Sequence, residues 1–167
     1  GEWREHAYNA DGLPAATAYS DATPPVTLTY DDFQRLATAS NAVARYAYLN
    51  SVLGVVTSEA ATVGGEVYTL TRGLDSRHRL ASLSAGNAPV HYGYDVENRL
   101  AAVSNGVFAV NHVYTSDGWD AGYTVTLTNG TILTRVVARD PYRRQLVTAV
   151  TNTIDGVPVT PLTYSYD

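Results

Sequence analysis

The sequence predicts an all-β protein, an antiparallel sheet of consecutive β-hairpins, on three observations. A frame of tyrosine then aspartate, with arginine four and leucine five residues after the aspartate, recurs along the 167 residues. Apolar and polar residues alternate on either side of it, as in Val90-His91-Tyr92-Gly93-Tyr94, the two-residue period of a half-buried strand. No stretch of helical length carries a 3.6-residue apolar period.

The best copy runs from Tyr94 and Asp95 to Arg99 and Leu100. The strand before it is Val90 to Tyr94 and the strand after it Leu100 to Ser104. The polar segment between them reads as a hairpin loop of about five residues. Asp95 suits the first loop position because its carboxylate can accept loop N–H groups. Arg99 is placed to reach back to it, an arrangement that fixes turn geometry more than it stabilises the fold.

In chain order, Glu2 to Tyr8 reads as a strand leading into a degenerate copy at 8–13, with Asn9 in the aspartate position and no arginine. Pro24-Pro25 is excluded from a central strand, so a strand starts at Thr27. Its turn is a full copy, Tyr30-Asp31 to Arg35-Leu36, followed by Ala37 to Ser40. Arg45 to Leu49 and Val52 to Thr57 read as strands, Val63-Gly64-Gly65-Glu66 as a glycine turn, and Val67 to Leu74 as the next strand. A copy at 74–80 follows, with Leu74 in the tyrosine position before Asp75, Arg79 and Leu80.

After the copy at 94–100, Asn105-Gly106 is a dipeptide favoured in type I′ turns. Val107 to Tyr114, Tyr123 to Leu127 and Ile132 to Arg139 are expected strands, with a turn at Asn129-Gly130. A copy at 139–146, Asp140 to Arg144 and Leu146, carries one inserted residue. Leu146 to Asn152 and Val157 to Tyr166 flank a turn at Asp155-Gly156, and 164–167 is a partial copy. The copies alternate between long intervals near 45 residues and short ones near 20. The tripeptides Leu70-Thr71-Arg72 and Leu133-Thr134-Arg135 mark two copies of a larger unit. One repeat array is expected over 1–167.

Composition narrows the function. At 45% hydrophobic content the chain is long enough for one domain with a core. It carries net charge -5, no lysine and scattered arginines, so it lacks the basic footprint of a nucleic-acid binder. There is no cysteine, which excludes disulfides and thiolate metal sites. No apolar run reaches the roughly 18 residues of a membrane-spanning helix. Without methionine, and stopping at Tyr166-Asp167, the sequence reads as a piece of a longer protein.

The recurring motif, clearest at Tyr30, Asp31, Arg35 and Leu36 and at Tyr94, Asp95, Arg99 and Leu100, resembles the RHS or YD-repeat family. Asp75, Arg79 and Leu80, and Asp140, Arg144 and Leu146, match from the aspartate onward. The resemblance covers nearly the whole chain and implies a curved segment of a β-shell that encloses a toxin or another part of the same polypeptide. It also implies a secreted or cell-surface location. The family's C-terminal core segment with its self-cleaving aspartates is lacking, so autoproteolysis is not carried over.

Candidate chemistry is sparse. His6, His78, His91 and His112 are dispersed and suggest no metal site. The adjacent carboxylates Asp31-Asp32 and Asp95 with Glu97 fall in turns, which collect such residues for backbone reasons. No phosphate loop, dinucleotide fingerprint or nucleophile elbow is present. The expectation is a structural, non-enzymatic segment without cofactor. The 13 tyrosines predict a repeating aromatic wall with cross-strand ladders. The alternative is a surface module that binds carbohydrate or protein through Trp119, Tyr123 and Trp3. Self-association is expected through the edge strands near Gly1 to Tyr8 or Val159 to Asp167.

Overall fold

The structure, a computed structural model, describes residues 2–167, Thr160 by its backbone alone. Gly1, where the outer expected edge strand begins, lies outside the described residues. The chain forms two units, residues 1–87 and 88–167.

In the first unit eight strands follow one another: β1 (Arg4–Tyr8), β2 (Pro14–Tyr19), β3 (Val26–Tyr30), β4 (Leu36–Ser40), β5 (Ala44–Asn50), β6 (Val56–Val63), β7 (Glu66–Leu74) and β8 (Leu80–Ala85). Each pairs antiparallel with the next in sequence. The second unit repeats the plan with β9 (Val90–Tyr94), β10 (Leu100–Ser104), β11 (Phe108–Tyr114), β12 (Asp120–Leu127), β13 (Ile132–Asp140), β14 (Leu146–Ile154) and β15 (Val157–Thr163). The expected all-β hairpin array is observed, and no helix occurs among the described residues.

The segment Val52 to Thr57 departs from expectation. Ser51 to Val55 form a tight turn in which Val52 is 87% exposed, and the strand starts only at Val56. Two apolar residues at a turn tip imitate a strand in sequence. Asn105-Gly106 also differs, because neither residue has the positive φ that a type I′ turn needs. Instead the Asn105 side-chain oxygen accepts the N–H groups of Val107 and Phe108, at 2.8 and 3.0 Å. Asn41 does the same for Val43 and Ala44. Adjacent positive-φ residues occur in the two-residue turns at Gly64 with Gly65 and Asp155 with Gly156.

The expected packed core is not present. Among the described residues only Val137 and Val150 are buried large hydrophobics, at 8% and 4% exposure. The cause is topological: consecutive hairpins lay every strand beside its sequence neighbour in one layer, and within neither unit does a second layer cover it. Register then sorts the side chains. In the first unit Leu28, Ala39, Tyr46, Ala61 and Tyr68 form one cross-strand row. In the second, Tyr92, Val103, Val110, Val125, Leu133, Ile154 and Val157 do so. The other face is rich in hydroxyls, with Thr29 opposite Thr38, Ser58 opposite Thr71 and Thr71 opposite Ser84. In the second unit Asn111, Thr124, Thr134 and Thr153 share such a row.

Candidate functional site

In each unit the meander sends alternate turns to the same edge, and the recurring frame occupies that edge. Asp31, Asp75 and Asp95 open one identical turn: the first residue donates its N–H to the carbonyl four residues on, and its own carbonyl accepts the N–H three residues on. The geometry needs a left-handed residue in the fourth place, filled by Gln34 (φ 62), His78 (φ 60) and Asn98 (φ 74). It also inserts a bulge beside the turn, as between Thr29 and Tyr30 and between Gly73 and Leu74.

The same hydrogen bonds close the turns at Asn9, Ser51, Thr115 and Leu127, with Gly12, Gly54, Gly118 and Gly130 in the left-handed place. Ser51 and Thr115 are motif copies that the tyrosine–aspartate frame misses. A hydroxyl replaces the carboxylate, and accepts the N–H of Val55 at 3.2 Å and of Trp119 at 3.0 Å. With them, Asn9, Asp31, Ser51, Asp75, Asp95, Thr115 and Asp140 follow one another every 20 to 25 residues. The alternation of long and short intervals disappears, since each long interval contains an unrecognised copy.

The aspartates work through both oxygens. Asp31 Oδ1 accepts the N–H groups of Phe33 and Arg35, each at 3.0 Å, and Oδ2 accepts Arg35 Nε at 2.8 Å. Asp75 accepts Arg77 and Arg79 N–H at 2.8 and 2.9 Å and Arg79 Nε at 2.7 Å. Asp95 accepts Arg99 N–H at 2.8 Å and Arg99 Nε at 2.6 Å. Partial desolvation raises the pKa of Asp31 and Asp95, and the Arg35 and Arg99 hydrogen bonds and charge outweigh it, so both lie below the usual range. For Asp75 the backbone hydrogen bond from Arg79 is the leading cause of the same lowering. Carboxyls held ionised in this way have no proton to donate near neutrality.

Tyrosine and leucine complete the frame as cross-strand partners flanking the turn: Tyr30 faces Leu36, Tyr94 faces Leu100, and Leu74 faces Leu80. The tyrosines also tie one copy to the one before. Tyr30 donates its hydroxyl to the Pro14 carbonyl at 2.7 Å, Tyr114 to Leu100 at 2.8 Å and Tyr166 to Val147 at 2.7 Å. The arginines reach the copy after. Arg35 Nη1 donates to the Ser51 carbonyl at 2.7 Å, and the Arg99 guanidinium lies 4.4 Å from the Tyr114 ring centre.

The Asp140 copy differs. Its extra residue brings both Arg144 (φ 52) and Gln145 (φ 60) into left-handed conformations. Asp140 accepts the Tyr142 N–H at 2.8 Å, but Arg144 is exposed and forms no pair with it; Leu146 pairs with Asp140 across the strands. Arg139 performs the linking, donating to the carbonyls of Gln145 and Asp120 at 3.0 and 3.1 Å.

The expected aromatic ladder is interrupted: Ala61 separates Tyr46 from Tyr68, and Tyr92 faces Val103. Of the residues singled out for ligand stacking, Trp119 lies against the Arg139 guanidinium at 5.4 Å. Tyr123 meets His112 edge-on, with ring centres 6.0 Å apart. Trp3 precedes β1 and is 55% exposed. Among the described residues no group of three or more histidines and carboxylates is placed to hold a metal. Depressions open on the tyrosine-bearing face of each unit. One of about 350 Å³ is lined by Tyr46, Tyr48, Glu59, Tyr68 and Leu70, and one of about 240 Å³ by Tyr123, Leu133, Arg135 and Asn152.

No family model matches the sequence, and no curated protein matches it. Solved structures do match. A chain in the crystal structure of TcdB2-TccC3-Cdc42 superposes with TM-score 0.69 at 13% identity, over 100% of this chain and 10% of that one. The chain shares the fold of a segment of that protein. The Photorhabdus luminescens Tc holotoxin pore carrying the TccC3-D651A mutation matches with TM-score 0.59 and 9% identity, over 90% of this chain and 11% of that one. TcdB2-TccC3-TEV matches with TM-score 0.54 and 13% identity, over 98% and 11%. This chain spans about a tenth of the length of the chains it matches. The hairpin array implied by the YD-repeat resemblance is thus the fold shared with these toxin complexes.

Proposed function

We propose that the chain is a non-enzymatic wall segment of a larger YD-repeat shell, enclosing a toxin or another part of its own polypeptide. The observation that carries this reading is the single-layer sheet, which leaves a continuous tyrosine- and valine-bearing face without a packed partner in either unit. The fold shared with toxin-complex chains over the full length supports it. A secreted or surface location belongs to the same proposal. So does pairing of β1 or β15 with another copy, since backbone groups on a strand edge recruit strands; concentration-dependent sedimentation tests it.

The direct test uses a reduced, carboxymethylated protein, held unfolded in water, as the enclosed polypeptide. The full chain is expected to bind it. Val125→Asp, on the apolar face, is expected to abolish binding, and Thr124→Asp, on the hydroxyl face, to spare it. No binding, or equal loss from both substitutions, overturns the proposal.

A second reading, a surface module that binds carbohydrate or protein, is favoured by the exposure of Trp3 at 55% and Trp119 at 47%. Retention on a glycan array, lost with Trp119→Ala, supports it, and no retention on any glycan removes its carbohydrate form.

A further inference from the structure

Arg135 is half-buried on β13, and its side chain makes no ion pair or hydrogen bond among the described residues. That separates it from Arg35, Arg72, Arg79 and Arg99, which are similarly covered and all meet a carboxylate. An arginine keeps its charge at any physiological pH, so a guanidinium that lines a depression without an internal partner is open to an anion.

The first unit shows which anion the architecture uses. There Arg72, on the tyrosine-bearing face of β7, has its Nη1 3.0 Å from Oε1 of Glu59, the fourth residue of β6. In the hairpin of β12 and β13, Val125 stands opposite Leu133 where Glu59 stands opposite Leu70, so no carboxylate occupies that place. Tyr123 sits directly opposite Arg135, which in turn faces Asn152 on β14. The second unit therefore keeps an arginine on this face and has lost the carboxylate. In its place is the depression of about 240 Å³, with Arg135 and Asn152 as donors and Val125, Leu133 and Val159 as apolar walls.

We propose that this depression is a binding site for a carboxylate-bearing side chain of a polypeptide, a glutamate or aspartate next to an apolar residue. The carboxylate takes the fork of Arg135 with the Asn152 amide alongside, and the apolar neighbour fills the valine and leucine walls. The volume suits one or two side chains rather than a folded surface. The site does not depend on the shell reading, because it follows from the charge left unpaired in the second unit.

The test is a titration of the full chain with acetyl-Glu-Leu-amide, followed through the Arg135 Nε–H resonance. The expected result is a saturable shift, at least about tenfold weaker binding of acetyl-Gln-Leu-amide, and loss of the shift with Asn152→Leu. Tyr123→Glu places a carboxylate directly opposite Arg135 and is expected to block the peptide while leaving the chain folded. Arg135→Gln is expected to abolish binding, and if it fails to fold, Tyr123→Glu decides. An unmoved Arg135 resonance, equal affinity for the glutamine peptide, or undiminished binding to Tyr123→Glu overturns the proposal. Inorganic phosphate binding as tightly as the glutamate peptide also overturns it, by showing a general oxyanion site.

Discussion

The hydroxyl of Tyr114 donates to the carbonyl of Leu100 at 2.8 Å, so the last residue before one turn is fastened to the first residue after the turn before it. Tyr30 with Pro14 and Tyr166 with Val147 repeat the link. A single-layer sheet has little burial to fix one strand against the next, and these bonds join successive copies. Tyr30→Phe, Tyr114→Phe and Tyr166→Phe should each lower stability by about 0.5–1.5 kcal/mol. Urea unfolding of the three variants checks this, and unchanged midpoints contradict it.

Acid should act through the turn aspartates. Their pKa values are lowered in the folded chain, so the stability they contribute is complete above the unfolded value near 3.9. It is lost as pH falls through the lower folded values. Unfolding midpoints should therefore be flat above about pH 5 and fall below about pH 4. The triple variant Asp31→Asn, Asp75→Asn, Asp95→Asn should keep its turns, as Asn9 does by accepting the Asp11 and Leu13 N–H groups at 3.1 and 2.8 Å. It should be less stable at pH 7 and show a shallower acid transition.

His78 holds φ 60 in the fourth place of its turn, where three other copies have glycine, at Gly12, Gly54 and Gly118. The left-handed conformation costs a non-glycine residue about 1–2 kcal/mol, and glycine loses about 0.5–1 kcal/mol more chain entropy on folding. His78→Gly should raise stability by up to about 1 kcal/mol. Thermal unfolding tests it, and a lower midpoint contradicts it.

Gly122 and Gly64 both have positive φ, 124° and 59°, with different surroundings. A Cβ on Gly122 would collide with the Arg135 carbonyl oxygen, whereas one on Gly64 meets nothing within 4 Å. Gly122→Ala should cost at least about 3 kcal/mol, and Gly64→Ala only the conformational term of about 1–2 kcal/mol. Equal costs contradict the close approach of β12 and β13.

The turns that carry aspartate and arginine were legible because two chemical roles fall at fixed spacing. Ser51 and Thr115 were not, since a hydroxyl accepts the same N–H and leaves no charge to notice; glycine three residues on, at Gly54 and Gly118, was the available signal. Strands β2 and β8 are built of small residues, Pro14 to Tyr19 and Leu80 to Ala85, with weak intrinsic preference, and take their form from paired neighbours. The missing core was hidden by composition. Alternation places half of the apolar residues on each strand face, and only topology says whether anything covers them. Arg135 was visible as part of a repeated tripeptide, but its lack of a carboxylate partner emerges only from the register of β12, β13 and β14.

The central claim, a wall one sheet thick, is tested by thiol labelling, for which the cysteine-free sequence is convenient. Val110→Cys and Asn111→Cys place single thiols on opposite faces of β11. In the chain alone, both should react within about tenfold of an unprotected thiol. Protection of the Val110→Cys thiol by a thousandfold or so, with Asn111→Cys reactive, would reveal a second layer over the apolar face and contradict the account.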